Sequence, residues 1–372
     1  MTTHCNTRGL LPAIALILAA NLRAAELPWI KVSGDQKSFV TEPGGQPFVP
    51  WGFNYDHDET KAARLIEDYW EGEWPKVEAD FREMKELGAN VVRIHLQFGK
   101  FMEAADKPSE RSLAQLARLV KLAEATGLYL DLTGLACYHK KDVPAWYDAL
   151  EEGERWAAQA AFWKAVAATC KDSPAIFCYD LMNEPVVPGR VGRAADWLGP
   201  PLGDKHFVQY ITREAKGRER HDIARQWIEV LVKAIRAVDR RHLITVGLVP
   251  WSLDKPGLTS GFVPDKIAGE LDFVAVHVYP EAGKLDEALE TLAGFNIGKP
   301  VVVEEMFCLK CSADELGRFI DQSREKKTAA GWIGFYWGRT PEELRGGATL
   351  AEAFTLSWLE LFQKKRAELF TK

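Results

Sequence analysis

Several familiar signatures are missing from this 372-residue chain. It has no glycine-rich phosphate loop of the G-x-G-x-x-G or P-loop kind, so nothing marks a nucleotide site. It has no basic excess either. Against 47 Lys and Arg stand 53 Asp and Glu, a formal charge of −6. That balance speaks against a nucleic-acid binder and suits a neutral, polar substrate. Cysteine is sparse: beyond Cys5 there are Cys137, Cys170, Cys178, Cys308 and Cys311. An odd number leaves at least one thiol free or paired between chains. Cys308 and Cys311 form a C-x-x-C, a spacing shared by local disulfides, redox pairs and half-sites for metals. No second pair stands at zinc-ligand spacing, so a loop staple or two inert thiols is the simpler reading. No metal site and no cofactor are expected.

Long apolar runs are also lacking, with one exception. Gly9–Ala20 follows Arg8, is too short to span a bilayer and leads into small residues. This is the pattern of a secretory signal peptide over residues 1–25, cleaved between Ala20 and Ala25. The mature domain, residues 26–372, would then be secreted or periplasmic; the alternative is a disordered apolar tail. No other run is long enough for a membrane span.

No repeat or linker divides the remainder. Eight short apolar runs follow one another: "PFVPWGFN", "NVVRIHLQF", "LYLDLTGL", "AIFCYDLMN", "HLITVGLV", "DFVAVHVY", "PVVVEEMF" and "WIGFYWG". Most junctions hold a stretch of helical spacing: Glu73–Leu87, Leu113–Ala125, Arg155–Lys171, Asp222–Asp239, Leu285–Phe295, Ala313–Lys327 and Ala351–Lys365. Nearly continuous apolar strands alternating with helices predict parallel βα units buried on both faces. Eight of them predict a single-domain (β/α)8 barrel, with a doubly wound open sheet as the alternative. Residues 26–47 read as a lead-in capping the barrel floor. The irregular segment Val186–His221, after the fourth strand, reads as an extended loop over the barrel mouth.

In such a barrel the chemistry gathers at the carboxyl ends of the strands. Those ends are unusually polar: Asn54 on strand one, Arg93 and His95 on two, and Asn183 and Glu184 on four. His277 and Tyr279 follow on six, Glu304 and Glu305 on seven, and Trp337 on eight. Period-two alternation puts Arg93 with His95 on one face, and His277 with Tyr279. By the same rule only one of Glu304 and Glu305 should point inward. Carboxylates from strands four and seven facing across a barrel mouth suit acetal cleavage. One protonates the leaving oxygen while the other attacks or activates water.

Together "NEP" (Asn183–Pro185), "RIHL" (Arg93–Leu96), "HVYP" (His277–Pro280), "VVVEEM" (Val301–Met306) and "FYWG" (Phe335–Gly338) resemble the glycoside hydrolases of clan A. The closest likeness is to family 5, the cellulases and β-mannanases, over roughly residues 45–365. The resemblance implies a (β/α)8 barrel and hydrolysis of β-linked glucan- or mannan-type oligo- or polysaccharides with retained anomeric configuration. It implies Glu184 as acid/base and Glu305 as nucleophile, with Glu304 turned away. Arg93 and Tyr279 would bind the nucleophile, Asn183 the sugar 2-hydroxyl, and His277 would complete the site above a Trp337 platform. Asn54 joins them as a candidate substrate contact. Two positions depart from the family: Thr133 replaces a common His, with Tyr138 or His139 as possible stand-ins, and His95 replaces a common Pro.

Tryptophans fit a sugar cleft, since an indole stacks on the apolar face of a pyranose. Trp51, Trp146, Trp197, Trp251 and Trp337 lie near predicted strand ends, whereas Trp156, Trp163, Trp227 and Trp358 fall within helices and suit the core. "YDHDE" (Tyr55–Glu59) reads as a loop shaping the site, with a metal cluster as the weaker option. Two other functions fit the same fold: a carbohydrate-binding barrel without catalysis, and a metal-dependent sugar isomerase or hydrolase. Exo or endo action turns on whether the loop Val186–His221 blocks one end of the cleft.

Overall fold

The computed structural model describes residues 27–60, 62–189, 192–255 and 258–370. The proposed leader, residues 1–25, lies outside these. Eight parallel strands close into a barrel: β1 (Trp51–Asn54), β2 (Val91–Gln97), β3 (Tyr129–Ala136) and β4 (Ile176–Asn183), then β5 (Leu243–Leu248), β6 (Val274–His277), β7 (Val301–Glu305) and β8 (Gly331–Phe335). Every residue of all eight is buried. That follows from their composition: a strand apolar on both faces is stable only between a packed interior and a helix layer.

Helices α1 (Trp74–Glu86), α2 (Glu110–Thr126), α3 (Glu152–Cys170) and α4 (Arg220–Arg236) follow the first four strands. After the others come α5 (Pro264–Ile267), α6 (Leu285–Ala293), α7 (Ala313–Glu325) and α8 (Leu350–Phe370). Local chemistry sets several boundaries. Ser109 caps α2 by accepting from the Ser112 amide, and Gly127 ends it in a left-handed turn. Ser312 and Glu315 form a capping box on α7. The fifth crossover shows no helical spacing in the sequence and holds only the four-residue α5, because Pro250, Gly261 and Pro264 punctuate it. No described helix is long and apolar enough to cross a membrane.

The lead-in does close the barrel floor. Strands Trp29–Val32, Phe39–Glu42 and Pro47–Phe48 form a small antiparallel sheet. Phe39 from that sheet is completely buried and meets Phe177 and Phe273 edge-on, with ring centroids 5.2 and 5.3 Å apart. Phe48 packs on Tyr129 at 5.0 Å. Val91, Leu243, Val302 and Ile333, near the starts of four strands, complete this layer.

The helical tryptophans behave as expected: Trp156, Trp163, Trp227 and Trp358 are core residues. Two others depart from expectation. Trp51 begins β1 rather than ending it and stacks on Phe362 at 4.5 Å, deep under α8. Trp197 lies beneath the long loop, sandwiched by the Arg155 and Arg213 guanidinium groups. All five described cysteines are free and buried, so Cys308 and Cys311 act as thiols, not as a staple.

Deleting a fully buried phenyl ring at the floor leaves a cavity that the surrounding strands cannot collapse. Phe39→Ala is therefore expected to destabilise the fold by about 3–5 kcal/mol in urea unfolding. A loss below about 1 kcal/mol would mean that the lead-in is only loosely attached.

Candidate active site

The polar strand ends meet in one network. At its centre is Arg93, wholly buried on β2. One terminal nitrogen donates to Glu305 Oε1 at 2.6 Å and to Asn54 Oδ1 at 2.9 Å. The other donates to Asp180 Oδ2 at 2.8 Å and to Asn183 Oδ1 at 3.0 Å. Tyr279 donates to the second Glu305 oxygen at 2.6 Å. His277 Nδ1 lies 2.9 Å from Glu184 Oε1 and 3.5 Å from Glu305 Oε2. One oxygen from Glu184, one from Glu305 and a nitrogen of His277 all lie within 4.8 Å of one another.

Local backbone irregularities aim these side chains. Asn183 and Glu184 are adjacent, so a regular strand would point them to opposite faces. Glu184 instead adopts the left-handed region, φ 47°, unusual for a residue with a side chain, and its amide bonds to Gly247 O at 3.0 Å. The chain turns there, and both side chains face the mouth.

Strand β7 corrects one expectation. Glu304 does not face away: its carboxylate is completely buried inside the barrel, 3.6 Å from Arg93 and 3.5 Å from His277 Nε2. The register between β6 and β7 slips, pairing Val276 with Val303 but His277 with Glu305. Glu304 is the extra residue of this bulge, so both glutamates enter the interior, one below the other.

Beneath the mouth, Glu304, Asp180 and Asp131 bring carboxylate oxygens within 4.8 Å of one another. Thr133 and the Gly247 amide bond Asp180 at 2.8 and 2.7 Å. Glu304 is approached by Arg93, His277 and Asp131, and Asp131 by the Cys178 thiol. Burial, reinforced by Glu304, pushes the Asp131 carboxyl well above the usual range and favours its neutral acid form. Burial and Glu304 likewise raise Asp180, to about 6, against the opposing pull of Arg93. His277 shows the opposite balance. Burial disfavours its charge, but Glu305, Glu184 and Glu304 outweigh that and lift it to about 10. An imidazolium has no lone pair for a metal. The cationic charge facing both carboxylate clusters comes from Arg93 and His277.

Around the rim, His95 Nε2 accepts from Arg93 at 3.3 Å, and Nδ1 bonds the Tyr138 hydroxyl. This pairing assigns the neutral tautomer with its proton on Nδ1, as expected for a ring that burial and Arg93 hold well below its ordinary pKa. Tyr138 thus joins the rim through His95, while Thr133 bonds Asp180 below. His139 turns to Asp204, 3.9 Å away. Trp337 is half-buried, stacks on Phe335 at 5.4 Å and donates to Asp56 Oδ1 at 3.3 Å.

Among the expected substrate contacts, Asn54 is the exception. It is completely buried, and its amide is spent on Arg93, Glu304 O and Gly334 O. It therefore supports the site from below. Asp131, Asp180 and Lys205 escaped the sequence reading. A carboxylate inside "LYLDLT" or "AIFCYDLMN" was the available signal for the first two; nothing local marks Lys205.

With this geometry in place, the comparisons with known proteins become specific. Similar sequences include mannan endo-1,4-β-mannosidase 2 of Oryza sativa subsp. japonica, 23% identical over 357 residues that cover 77% of this chain and 69% of the relative. The exo-β-1,4-mannosidase Op5Man5 from Opitutaceae bacterium strain TAV5 superposes with a TM-score of 0.65 at 17% identity. That match covers 91% of this chain but only 62% of the other, less than two thirds of its length. The endo-1,4-β-mannanase of Rhizomucor miehei gives a TM-score of 0.61 at 18% identity, covering 91% and 99%. Residues 45–337 match the cellulase family, glycosyl hydrolase family 5. This chain belongs to that family and is a glycosidase built on a (β/α)8 barrel.

Proposed function

We propose that the chain is a retaining β-glycosidase of neutral mannan- or glucan-type oligosaccharides, exported by a leader at residues 1–25. The observation that carries the mechanism is that one oxygen of Glu184 and one of Glu305 lie within 4.8 Å of each other. Retaining enzymes hold their two carboxyls about 5–5.5 Å apart, whereas inverting ones leave about 6.5–9.5 Å for a water. The relatives named as mannosidases or mannanases favour a manno-configured sugar, and the cellulase family name keeps glucans in view.

In this reading Glu305, gripped by Arg93 and Tyr279, attacks the anomeric carbon while the bond to the leaving oxygen breaks. Glu184 delivers its proton to that oxygen. Once Glu305 is esterified, Glu184 takes the role of base. Water then attacks the anomeric carbon, gives its proton to Glu184 and releases Glu305. Asn183, oriented by Arg93, offers its amide to the 2-hydroxyl, and Trp337 forms the floor beneath the ring.

Two measurements bear on this mechanism. Glu305→Ala and Glu184→Ala should each lower turnover by about 10²–10⁴-fold or more without unfolding the barrel. Azide should rescue both on aryl glycosides with good leaving groups, giving a product of inverted configuration from Glu305→Ala and of retained configuration from Glu184→Ala. Full activity in Glu305→Ala, with loss in Glu304→Ala, would identify the other strand-seven acid as the nucleophile.

The second measurement concerns His277, whose folded pKa of about 10 lies above its ordinary 6.5. Folding therefore holds a proton that the unfolded chain releases near 6.5. The resulting stability is complete below that pH and is lost as pH rises through about 10. Unfolding of the wild type and His277→Asn should differ most at pH 6, with the gap narrowing towards pH 10. A gap independent of pH would mean that folding leaves the His277 pKa unshifted, and a gap that widens with pH that the ring is neutral in the folded protein.

A further inference from the structure

The segment after β4 is more than a loose insertion. Leu198 pairs with Gln209 and Leu202 with Lys205 in an antiparallel ribbon. The bonds Gly199 N to Val208 O, 2.9 Å, and Leu202 N to Lys205 O, 2.8 Å, hold the ribbon together. It follows β4 and packs on the segments that come after β3 and β1. The His206 amide donates to Tyr138 O at 2.8 Å, beyond the end of β3, and the Phe207 ring packs on Tyr138 at 5.4 Å. Leu65, from the segment after β1, joins Tyr138 and Phe207 in one apolar cluster. Asn183 ties the base of the ribbon down by donating to Phe207 O at 3.3 Å.

Near the tip stands Lys205, a lysine only 6% exposed. Among the described residues its ammonium makes no hydrogen bond and no ion pair within 4 Å. Burial pushes its pKa down, opposed by the carboxylates of Asp56, Asp204, Asp58 and Asp68. Asp56 is the residue that holds Trp337. Burial falls on the stem: the ammonium is not among the buried side-chain atoms that lack a partner, so it stays open to water beside the platform, with three donors for acceptors on a ligand.

Position decides which ligand atoms those are. The anomeric carbon must sit between Glu184 and Glu305, on the β4, β6 and β7 side. The opposite edge of the ring, with its 3- and 4-hydroxyls, then points to the wall formed by β1, β2, β3 and the ribbon. In a 1,4-linked chain the next sugar on that side would hang from the 4-oxygen, where Lys205 and the ribbon stand. On the other side a groove lined by Pro250, Val278, Tyr279 and Glu281 leads away from Tyr279, while a second hollow, lined by His57, Asp58, Thr60 and Trp337, flanks the platform between β1 and β8. Four carboxylates around Lys205 disfavour an anionic sugar and leave neutral hydroxyls as its partners.

Resting on the glycosidase reading above, we infer that the ribbon closes the cleft into a pocket. The enzyme removes single sugars from the non-reducing end, with Lys205 as the specificity residue that binds the terminal 3- or 4-hydroxyl.

The test uses the purified wild-type protein on mannopentaose and cellopentaose labelled at the reducing end, with aryl β-mannoside and β-glucoside in parallel. The expected early products are monosaccharide and the tetramer alone. Early dimer and trimer would overturn the exo assignment and leave the retaining glycosidase intact; no hydrolysis of any substrate would overturn both. Lys205→Met, which keeps the apolar stem, should raise KM for the aryl glycoside about ten- to hundredfold with a much smaller change in kcat. The 4-deoxy and 3-deoxy aryl glycosides then locate the contact. One of them should lose as much in the wild type as Lys205→Met does, and lose nothing further in the variant. Additive losses for both deoxy substrates, or an unchanged KM, would overturn the role of Lys205.

Discussion

A guanidinium with no access to water must be surrounded by acceptors, or the chain will not close around it. Arg93 meets that demand at its two terminal nitrogens, leaving only Nε without a partner among the described residues, by drawing on β1 through Asn54, on β4 through Asp180 and Asn183, and on β7 through Glu305. Half the strands of the barrel are therefore registered at their carboxyl ends by one side chain. The dependence runs both ways. Burial favours discharging each nearby carboxylate, and Arg93 is the charge that opposes this for Asp180 and Glu304. Removing the arginine would strand several buried acids at once, which is why the site and the upper barrel form a single electrostatic unit.

Below Arg93 the interior is polar where most barrels are packed with branched aliphatic residues. Asp131, Asp180 and Glu304 occupy one layer, with Arg93 and His277 between them and the mouth. Gly247 makes room for this arrangement. A Cβ there would come within 3.1–3.2 Å of Glu304, His277 and Arg93. The bulge at Glu304 and the left-handed turn at Glu184 are local costs that this network holds in place. Each converts two adjacent residues, which a regular strand would split between faces, into two groups directed at one site.

The same features mark where sequence reading succeeds and where it stops. All eight strands and seven of the helices were legible, because burial on both faces writes a long apolar run and the helical crossovers write a clear period. Arg93 with His95, and His277 with Tyr279, came together as alternation requires. Alternation failed at Glu304 because a bulge depends on register with a neighbouring strand, which no single segment records. Trp51 and Trp197 were misjudged for a related reason: proximity to a strand says nothing of which end or which layer a side chain occupies. Asn54 was placed on the correct strand end, yet depth within the barrel decides whether an amide meets ligand or framework.

Lys205 was out of reach for a deeper reason. Its charged surroundings come from the segment after β1 and from Asp204 on its own ribbon, which starts at Leu198 in a Gly- and Pro-rich stretch. That ribbon springs from the β4 end, which also carries Asn183 and Glu184, and Asn183 bonds its base. One segment thus supplies a carboxylate to the side of the mouth where bonds would be cut, and a wall to the side where a sugar chain would otherwise continue. Because Asn183 is held simultaneously by Arg93 and by Phe207 O, the wall cannot shift far without disturbing the residue beside Glu184. In this barrel the shape of the pocket and the aim of its carboxylates are therefore set by the same few hydrogen bonds.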